Sequence, residues 1–569
     1  MPFYANTHTL QSSAGRKTMA CREDARQIIK RVMGCTQEDA VIFVGSGSTS
    51  ASNLLVNKLK IKAYSDFVDL RKKVEKYMPP DNLFRFLAES MPSDLDAKQH
   101  CQRLDWNSFK CSLCEVEVDG LQLYIEHAKT ETHRDEIARQ LENDEREMTP
   151  IVFVSVFEHN SNVLPWKEAG ARVEIMPMTN NGDMDYDFIE RRFSEIKDEK
   201  CLKVGAFSAG SNITGTLYDV DRLAMICHKN GALACFDYAA VAPYVNINMS
   251  GPSPHRLWET EVDPDLCWKD AIIVSPHKLV GGPQTSGLLV AKRDVLFDSS
   301  PHRVGGGPIL FVNEKKYEFV ENPEELEEAG TPAILQDIRT GIVFELKDQI
   351  GEETIHKREA LIMKKVLPRL LKIPNLILMG NNSLPKVPIF AFVIRTFNGK
   401  ILHPNFVTQL LGDLFGIQTR SGCSCAGMYG LKLLGVDDEL ADIYLGAIYK
   451  GLEIVKMGYS RLNFSYFFND EDVDYICHAL EFVSKFGWMF LANYDFEMKR
   501  GLWISKDEKR FETNTRITDI DFTLEELGIP QTHNLHLKTI HTFQEVNPLY
   551  FYIEKAYIHL MDMVETFQY

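Results

Sequence analysis

Short runs of apolar, β-branched residues recur along most of this chain, and amphipathic, helix-like stretches separate them. Val41–Val44, Ile151–Val156, Val173–Met176, Lys203–Phe207, Ala232–Phe236, Ala271–Val274 and Gly287–Val290 each read as a strand buried on both faces. Such strands alternating with amphipathic segments predict an α/β fold, a mostly parallel sheet with helices on both faces. Ligands of such sheets sit at the carboxyl ends of the strands, so the residues directly after each run are where chemistry is sought. The alternation breaks from about Ser93 to Thr149, a polar stretch that closes with an acidic helix-like run and is expected to be an insertion. After Arg339 a long helical pattern leads into a second α/β region with its own strand, Ile389–Ile394. Asn547-Pro548 then starts a helix with Leu549, Ile553, Ala556, Leu560, Val564 and Phe567 at helical spacing, expected to pack on a core or a partner subunit. The expected organisation is a large domain over 1–92 and 150–339, an inserted segment over 93–149, a smaller C-terminal α/β domain over 340–495 and an extension over 496–569.

Composition narrows the class. With 569 residues, 44% hydrophobic and 25% charged, the chain has the make-up of a soluble globular protein with a large core. A net charge of −17 argues against chain-wide affinity for nucleic acid or anionic membrane. Twelve cysteines scattered over this length make no disulfide framework and suit a reducing compartment. No apolar run is long enough to span a membrane. The N-terminus lacks the apolar core of a signal peptide, though its Ser, Thr and few basic residues leave a weak organelle signal open. The expected location is intracellular, cytoplasmic first, with nucleus or organelle as alternatives.

The strand ends carry a constellation. Ser275-Pro276-His277-Lys278 follows Ala271–Val274, and a lysine there is placed to form a Schiff base with an aldehyde; a surface lysine is the plain alternative. Asp237 follows Ala232–Phe236 as a cap, a metal ligand or an anionic partner; a carboxylate in that place keeps a pyridine nitrogen protonated. Asn212 follows Lys203–Phe207, placed to donate to a ring 3-oxygen. His159 follows Ile151–Val156, placed to stack on a ring. Gly45-Ser46-Gly47-Ser48-Thr49 follows Val41–Val44 and opens a helix, where small hydroxyls and free N–H groups bind phosphate. Each alone is more often structural. Five at five strand ends in this order point to pyridoxal 5'-phosphate.

These residues sit in motifs that resemble the class V aminotransferases, the group that contains the cysteine desulfurases and selenocysteine lyases, and most of all the SUF type. Y-A-N-x-H appears as Tyr4-Ala5-Asn6-Thr7-His8, E-H-x-x-N-x-x-P-W from Glu158 to Trp166, S-N-x-x-G-T from Ser211 to Thr216, S-x-H-K-L-x-G from Ser275 to Gly281, and E-x-G-T-P from Glu328 to Pro332. The resemblance implies a fold-type I pyridoxal-phosphate enzyme. It makes Lys278 the Schiff-base lysine, Asp237 the pyridine-nitrogen partner and His159 the stacking ring. Ser48, Thr49, Ser275 and His277 become the phosphate ligands. The Gly305-Gly306-Gly307 turn resembles a segment that reaches the neighbouring subunit's phosphate, which implies a homodimer. Two departures stand out. The family's D-x-A-Q is Asp237-Tyr238-Ala239-Ala240 here, without the glutamine that helps hold the cofactor. The chain also begins almost at Y-A-N, where the family carries a preceding strand-and-turn segment.

Arg420-Ser421-Gly422-Cys423-Ser424-Cys425-Ala426 resembles the R-x-G-x-x-C-A loop of SUF-type desulfurases. It implies that Cys425 takes sulfur from substrate and that Arg420 binds the substrate carboxylate through its bidentate fork. Ser424 stands where a histidine is usual, and Cys423 is a second candidate thiol. The alternatives are small residues in a Gly-rich turn, or part of a metal site. The expected reaction is L-cysteine to L-alanine with sulfur passing to Cys425. A class V aminotransferase or carbon–sulfur lyase on this scaffold is the runner-up, and a binding protein with a degenerate site is the remaining alternative.

In the inserted segment, Cys111, Cys114, His127 and His133 have C-x2-C-x12-H-x5-H spacing, the pattern of a ββα-like finger closing on a structural zinc. It resembles matrin-type fingers, which bind RNA or proteins. From Phe109 to Arg134 there are three Lys/Arg against five Asp/Glu. This acidic balance favours a protein-docking role over RNA or DNA binding.

Overall fold

The computed structural model describes residues 4–7, 11–62, 101–103, 108–111, 117–119, 149–296, 300–506 and 548–566. They form two compact units, one of Met1–Gly210 with Tyr218–Ile350, the other of Ser211–Leu217 with Gly351–Tyr569.

The larger unit is built on seven strands: β1 (Asp39–Val44), β5 (Ile151–Ser155), β6 (Arg172–Met176), β7 (Lys203–Ser208), β8 (Leu233–Asp237), β9 (Ala271–Val274) and β10 (Gly287–Lys292). The intervening β2 (Cys101–Arg103), β3 (Ser108–Cys111) and β4 (Glu117–Asp119) make a separate antiparallel sheet. The main sheet has the order β1-β10-β9-β8-β7-β5-β6. From β6 to β9 every neighbour is parallel. Residues of six strands are almost all buried, as apolar runs covered on both faces require, whereas β6, at the end of the sheet, buries only Met176, so Val173–Met176 is not covered on both faces as its apolar run suggested. All seven apolar runs named from the sequence are strands of this sheet.

One strand differs from its neighbours in direction. β10 runs antiparallel to both β9 and β1. The connection 275–286 holds a single 3-10 turn, Pro276–Lys278, and no crossover helix. A parallel return needs such a crossover, so the chain can only turn back. The carboxyl ends of β1, β9, β8, β7 and β5 therefore share one edge of the sheet.

Between the strands run α1 (Ser13–Val32), α2 (Gly47–Lys58), α3 (Leu164–Glu168), α4 (Tyr186–Glu195), α5 (Val220–Lys229), α6 (Pro323–Leu326) and α7 (Ile334–Ile350). Asp185 and Asp219 cap α4 and α5 by accepting from Phe188 N and Arg222 N. Arg22 of α1 holds Glu328 through both Nη atoms at 2.5 and 2.7 Å, and Asp337 of α7 through Nε at 2.7 Å. The acidic residue of the Glu328–Pro332 motif is thus part of a largely buried ion-pair lock between α1 and α7.

The second unit centres on an antiparallel sheet ordered β13 (Leu376–Leu378), β14 (Ile389–Ile394), β16 (Tyr459–Asn463), β15 (Arg420–Gly422). Two short hairpins complete the strands: β11 (Ile309–Val312) with β12 (Tyr317–Phe319) in the first unit, and β17 (Tyr494–Glu497) with β18 (Leu502–Ser505) in the second. Helices α8 (Glu352–Leu371), α9 (Pro404–Phe415), α10 (Gly427–Leu433), α11 (Asp438–Tyr449), α12 (Asp470–Phe486) and α13 (Pro548–Thr566) belong here. Ala556, Leu560 and Met563 of α13 join Phe390, Phe406, Leu410 and Phe482 in one core. The expected C-terminal helix therefore packs on the core of its own chain.

Candidate active site

The phosphate end is a place where backbones nearly touch. Gly47, at the start of α2, has φ +59°, and a Cβ there would lie 2.9 Å from the His277 ring and 3.0 Å from Ser275 Oγ. A Cβ on Gly287 would lie 2.4 Å from Gly47 O. Only glycine fits either position. Ser48 N donates to Ser275 Oγ at 2.9 Å, joining the α2 N-terminus to the end of β9. Thr49 Oγ1 lies 2.7 Å from Ser161 Oγ, two residues beyond His159. The structure thus gathers Ser48, Ser275 and His277 around Gly47, with Thr49 reaching the β5 end. The N-cap residue Ser46 makes no side-chain cap bond. A helix N-terminus of this kind is built for an anion.

Asp237 closes β8 and is buried, with Oδ1 accepting from Ala239 N at 2.8 Å. Burial pushes its carboxyl above the usual range, while the Ala239 amide and the nearby Lys278 charge pull the other way. Lys278 itself is exposed at the end of the 3-10 turn after β9. His159 follows β5 and accepts from Ser161 N through Nδ1 at 3.1 Å, which assigns the neutral ring its proton on Nε2.

Beneath His159 lies Glu158, fully buried, a residue for which the sequence suggested no role beyond its motif. It accepts from Ser155 Oγ at 2.5 Å, Asn162 Nδ2 at 2.8 Å, Ser208 N at 2.9 Å and Ser208 Oγ at 2.6 Å. Four donors on one carboxylate tie the carboxyl ends of β5 and β7 together. Burial raises its carboxyl while these bonds resist the rise.

In the second unit, Asn212, Arg420 and the two thiols come together. Asn212 Nδ2 donates to Ser424 O at 2.8 Å, and its own carbonyl accepts from Arg461 Nη1 at 2.6 Å. Ser424 and Cys425 both have positive φ, 50° and 59°. Two successive non-glycine residues in the left-handed region mark a strained turn, which functional loops often carry. The turn leaves Cys425 exposed, with Arg420 Nη2 at 3.0 Å from its Sγ. Cys423 is half-buried, donates to Met457 O at 3.3 Å, and burial pushes its thiol up. Arg461, which the sequence reading missed, sits directly across from Arg420 in the β15–β16 pairing.

Of the four expected zinc ligands, only the backbone of Cys111 is described, at the end of β3; Cys114, His127 and His133 lie outside the described residues. Among the described residues no cluster of His, Cys, Asp or Glu suits a metal, and no helix is long and apolar enough to cross a membrane.

A mostly parallel sheet with a lysine, a buried aspartate, a histidine and a helix N-terminus at the same edge defines a pyridoxal-phosphate-dependent transferase. The chain belongs to the aminotransferase class-V family, whose pattern matches residues 130–476. It is 30% identical over 327 residues to a probable cysteine desulfurase of Halalkalibacterium halodurans, covering 55% of this chain and 71% of that one. To a probable cysteine desulfurase of Staphylococcus epidermidis it is 29% identical over 339 residues, covering 59% and 70%. Its fold is similar to that of the apo cysteine desulfurase of Thermococcus onnurineus, at a TM-score of 0.56 and 19% identity, over 85% of this chain and 88% of that one. The cysteine desulfurase CsdA of Escherichia coli is similar at a TM-score of 0.52 and 19% identity, over 84% and 87%.

Proposed function

We propose that this enzyme is a cysteine desulfurase: L-cysteine and the Cys425 thiol give L-alanine and a persulfide on Cys425. The observation that carries this reading is the inequality of the two thiols. Cys425 is exposed on a left-handed turn against a guanidinium, whereas Cys423 is partly buried and spends its proton on a carbonyl. The relatives named probable cysteine desulfurases support it.

The residues at the sheet edge fit pyridoxal phosphate: a glycine cradle beside helix amides for the phosphate, a buried carboxyl for the ring nitrogen, and a lysine within its electrostatic reach. When bound, that cofactor supplies an electron sink for the bonds to the substrate Cα. Ser48, Thr49, Ser275 and His277 hold its phosphate. Asp237 keeps its nitrogen protonated, and His159 packs on the ring. Lys278 anchors it and moves the Cα proton. Asn212, with one amide proton committed to Ser424 O, retains a second for the 3-oxygen. The Arg420–Arg461 pair supplies the cation for the substrate carboxylate. The Cys425 thiolate attacks the substrate sulfur, and the carbon it leaves becomes the alanine methyl group.

A second subunit is expected to dock on the β11–β12 hairpin beside Gly305–Gly307, where Leu310, Val312 and Tyr317 lie exposed. The finger residues Cys111, Cys114, His127 and His133 are assigned to a structural zinc. The antiparallel pairing of β3 and β4, which flank Cys114 in the chain, supports the hairpin half of that motif. Its acidic balance favours a protein ligand over nucleic acid.

Borohydride reduction of the cofactor-loaded protein, followed by peptide mapping, tests the anchor. Cofactor fixed on the Lys278 peptide in wild type and absent in Lys278→Ala is the expected result; fixation in that variant overturns the assignment.

A further inference from the structure

We propose that Lys386 is a covalent acylation site, whose amine takes an acyl group from a thioester or an acyl phosphate beside the loop that carries Asn212. The proposal is independent of the desulfurase reading.

Lys386 sits where an ammonium ion is poorly served. It lies half-buried in the turn before β14, with Nζ 4.6 Å from the centroid of the fully buried Phe390 ring. Its hydrogen-bond acceptor is a neutral amide, Asn382 Oδ1 at 2.9 Å. Among the described residues no carboxylate faces it. Lys269 shows the contrast: its buried Nζ gives its three protons to Asp221 Oδ1, Gly251 O and Cys267 O, all within 2.8 Å. A ring face and one amide oxygen attract a cation, but they replace its lost hydration less well than a carboxylate would. Burial accordingly pulls the Lys386 amine down to about 8.

Acylation suits this place. The neutral nitrogen attacks the acyl carbon and a C–N bond forms. The C–S or C–O bond to the leaving group breaks, thiolate or phosphate departs with the electron pair, and the amine proton passes to solvent. The product carries no charge for burial to penalise, and it keeps one N–H for Asn382 Oδ1. The site lies at the root of the 211–217 loop. Leu217 N donates to Pro385 O at 2.8 Å, Val387 N donates to Gly215 O at 2.9 Å, and Thr216 bridges Lys386. Asn382 Nδ2 donates in turn to Gly380 O at 3.3 Å, and a Cβ on Gly380 would lie 2.5 Å from Thr214 Cγ2. The acceptor of the Lys386 proton is thus part of the wall that packs on the same loop.

The test is acylation of the full-length, cofactor-loaded protein in two arms, acetyl-CoA and acetyl phosphate, read at the Lys386 peptide against added Nα-acetyl-lysine. At neutral pH Lys386 should react at least about tenfold faster than this reference, since an amine titrating near 8 has a far larger free fraction than an ordinary lysine. Its rate should level off a little above pH 8, while the reference keeps rising to about pH 10. Asn382→Asp places a carboxylate against Nζ and should slow Lys386 about tenfold at neutral pH. The acetylated protein should melt at a higher temperature at neutral pH than the unmodified one, because a buried charge is gone. Labelling in either arm meets the prediction, and the arm that labels names the donor. Labelling in neither, or a Lys386 rate no greater than the reference, overturns the proposal. So does an unchanged rate in Asn382→Asp; if that variant does not fold, the wild-type pH profile decides, and a rate still rising to about pH 10 overturns the proposal.

Discussion

A carboxyl group as buried as Asp237 is costly to ionise until a cation faces it. Its folded-state pKa is raised, so the stability it contributes is present at low pH and lost as pH rises through that value. Above that value, in the cofactor-free protein, the ionised side chain is therefore a net burden. Asp237→Asn should raise the melting temperature of the apo protein while abolishing turnover; a lower melting temperature would contradict the burial argument. Glu158 is likewise buried with its carboxyl raised, but four donors occupy its two oxygens. Glu158→Ala should cost about 3 kcal/mol in denaturant unfolding, since several buried donors lose their acceptor. Glu158→Gln should not rescue it, because its amide would face the Asn162 amide. A near-neutral Gln variant would show that the network is looser than these distances imply. Both residues were visible in the sequence at their strand ends, but only Asp237 suggested a task. Nothing in Glu158-His159-Asn160 announces four donors converging from two strands.

At the scale of elements, apolar runs located the strands well and their directions less well. Gly287–Val290 looks like any strand buried on both faces, and burial carries no information on polarity. The short connection 275–286 decides it. Tyr459–Asn463 is hard to see as a strand in the sequence because its Ser460 and Arg461 interrupt any apolar run, which also hides the carboxylate candidate Arg461. The loop after β7 leaves the large unit: 211–217 belongs to the second unit, where Leu217 N donates to Pro385 O at 2.8 Å and Thr216 bridges Lys386. The glycine pair between α2 and β10 yields a prediction at this level. Gly47→Ala places a methyl against the His277 ring at a backbone angle that disfavours it, and should weaken pyridoxal-phosphate binding by roughly tenfold or more. Titration of apo protein followed by absorbance measures this, and wild-type affinity would show that the cradle does not hold the phosphate.

For the whole molecule, the C-terminal helix is a stabilising part of the second unit's core. Deleting 507–569 uncovers the site of Ala556, Leu560 and Met563 and the face of Phe482 that Tyr557 meets at 4.9 Å. The loss should be on the order of 5 kcal/mol, from the burial of several apolar side chains. An unchanged denaturation midpoint would mean that the helix is dispensable. Metal analysis should find one zinc per chain, and chelation should leave alanine production nearly intact, because the finger's ligands come from one continuous segment that can close on the metal locally. Loss of turnover on chelation would place the finger in the active site. The central claim is sulfur transfer to one named thiol. It is tested most directly by a single turnover of the cofactor-loaded enzyme with L-cysteine, with alanine quantified and the thiol peptides weighed intact. The account predicts one alanine per active site and one extra sulfur on the Cys425 peptide, none on Cys423. Pyruvate with free sulfide and an unmodified Cys425, or a persulfide found on Cys423 alone, would contradict it.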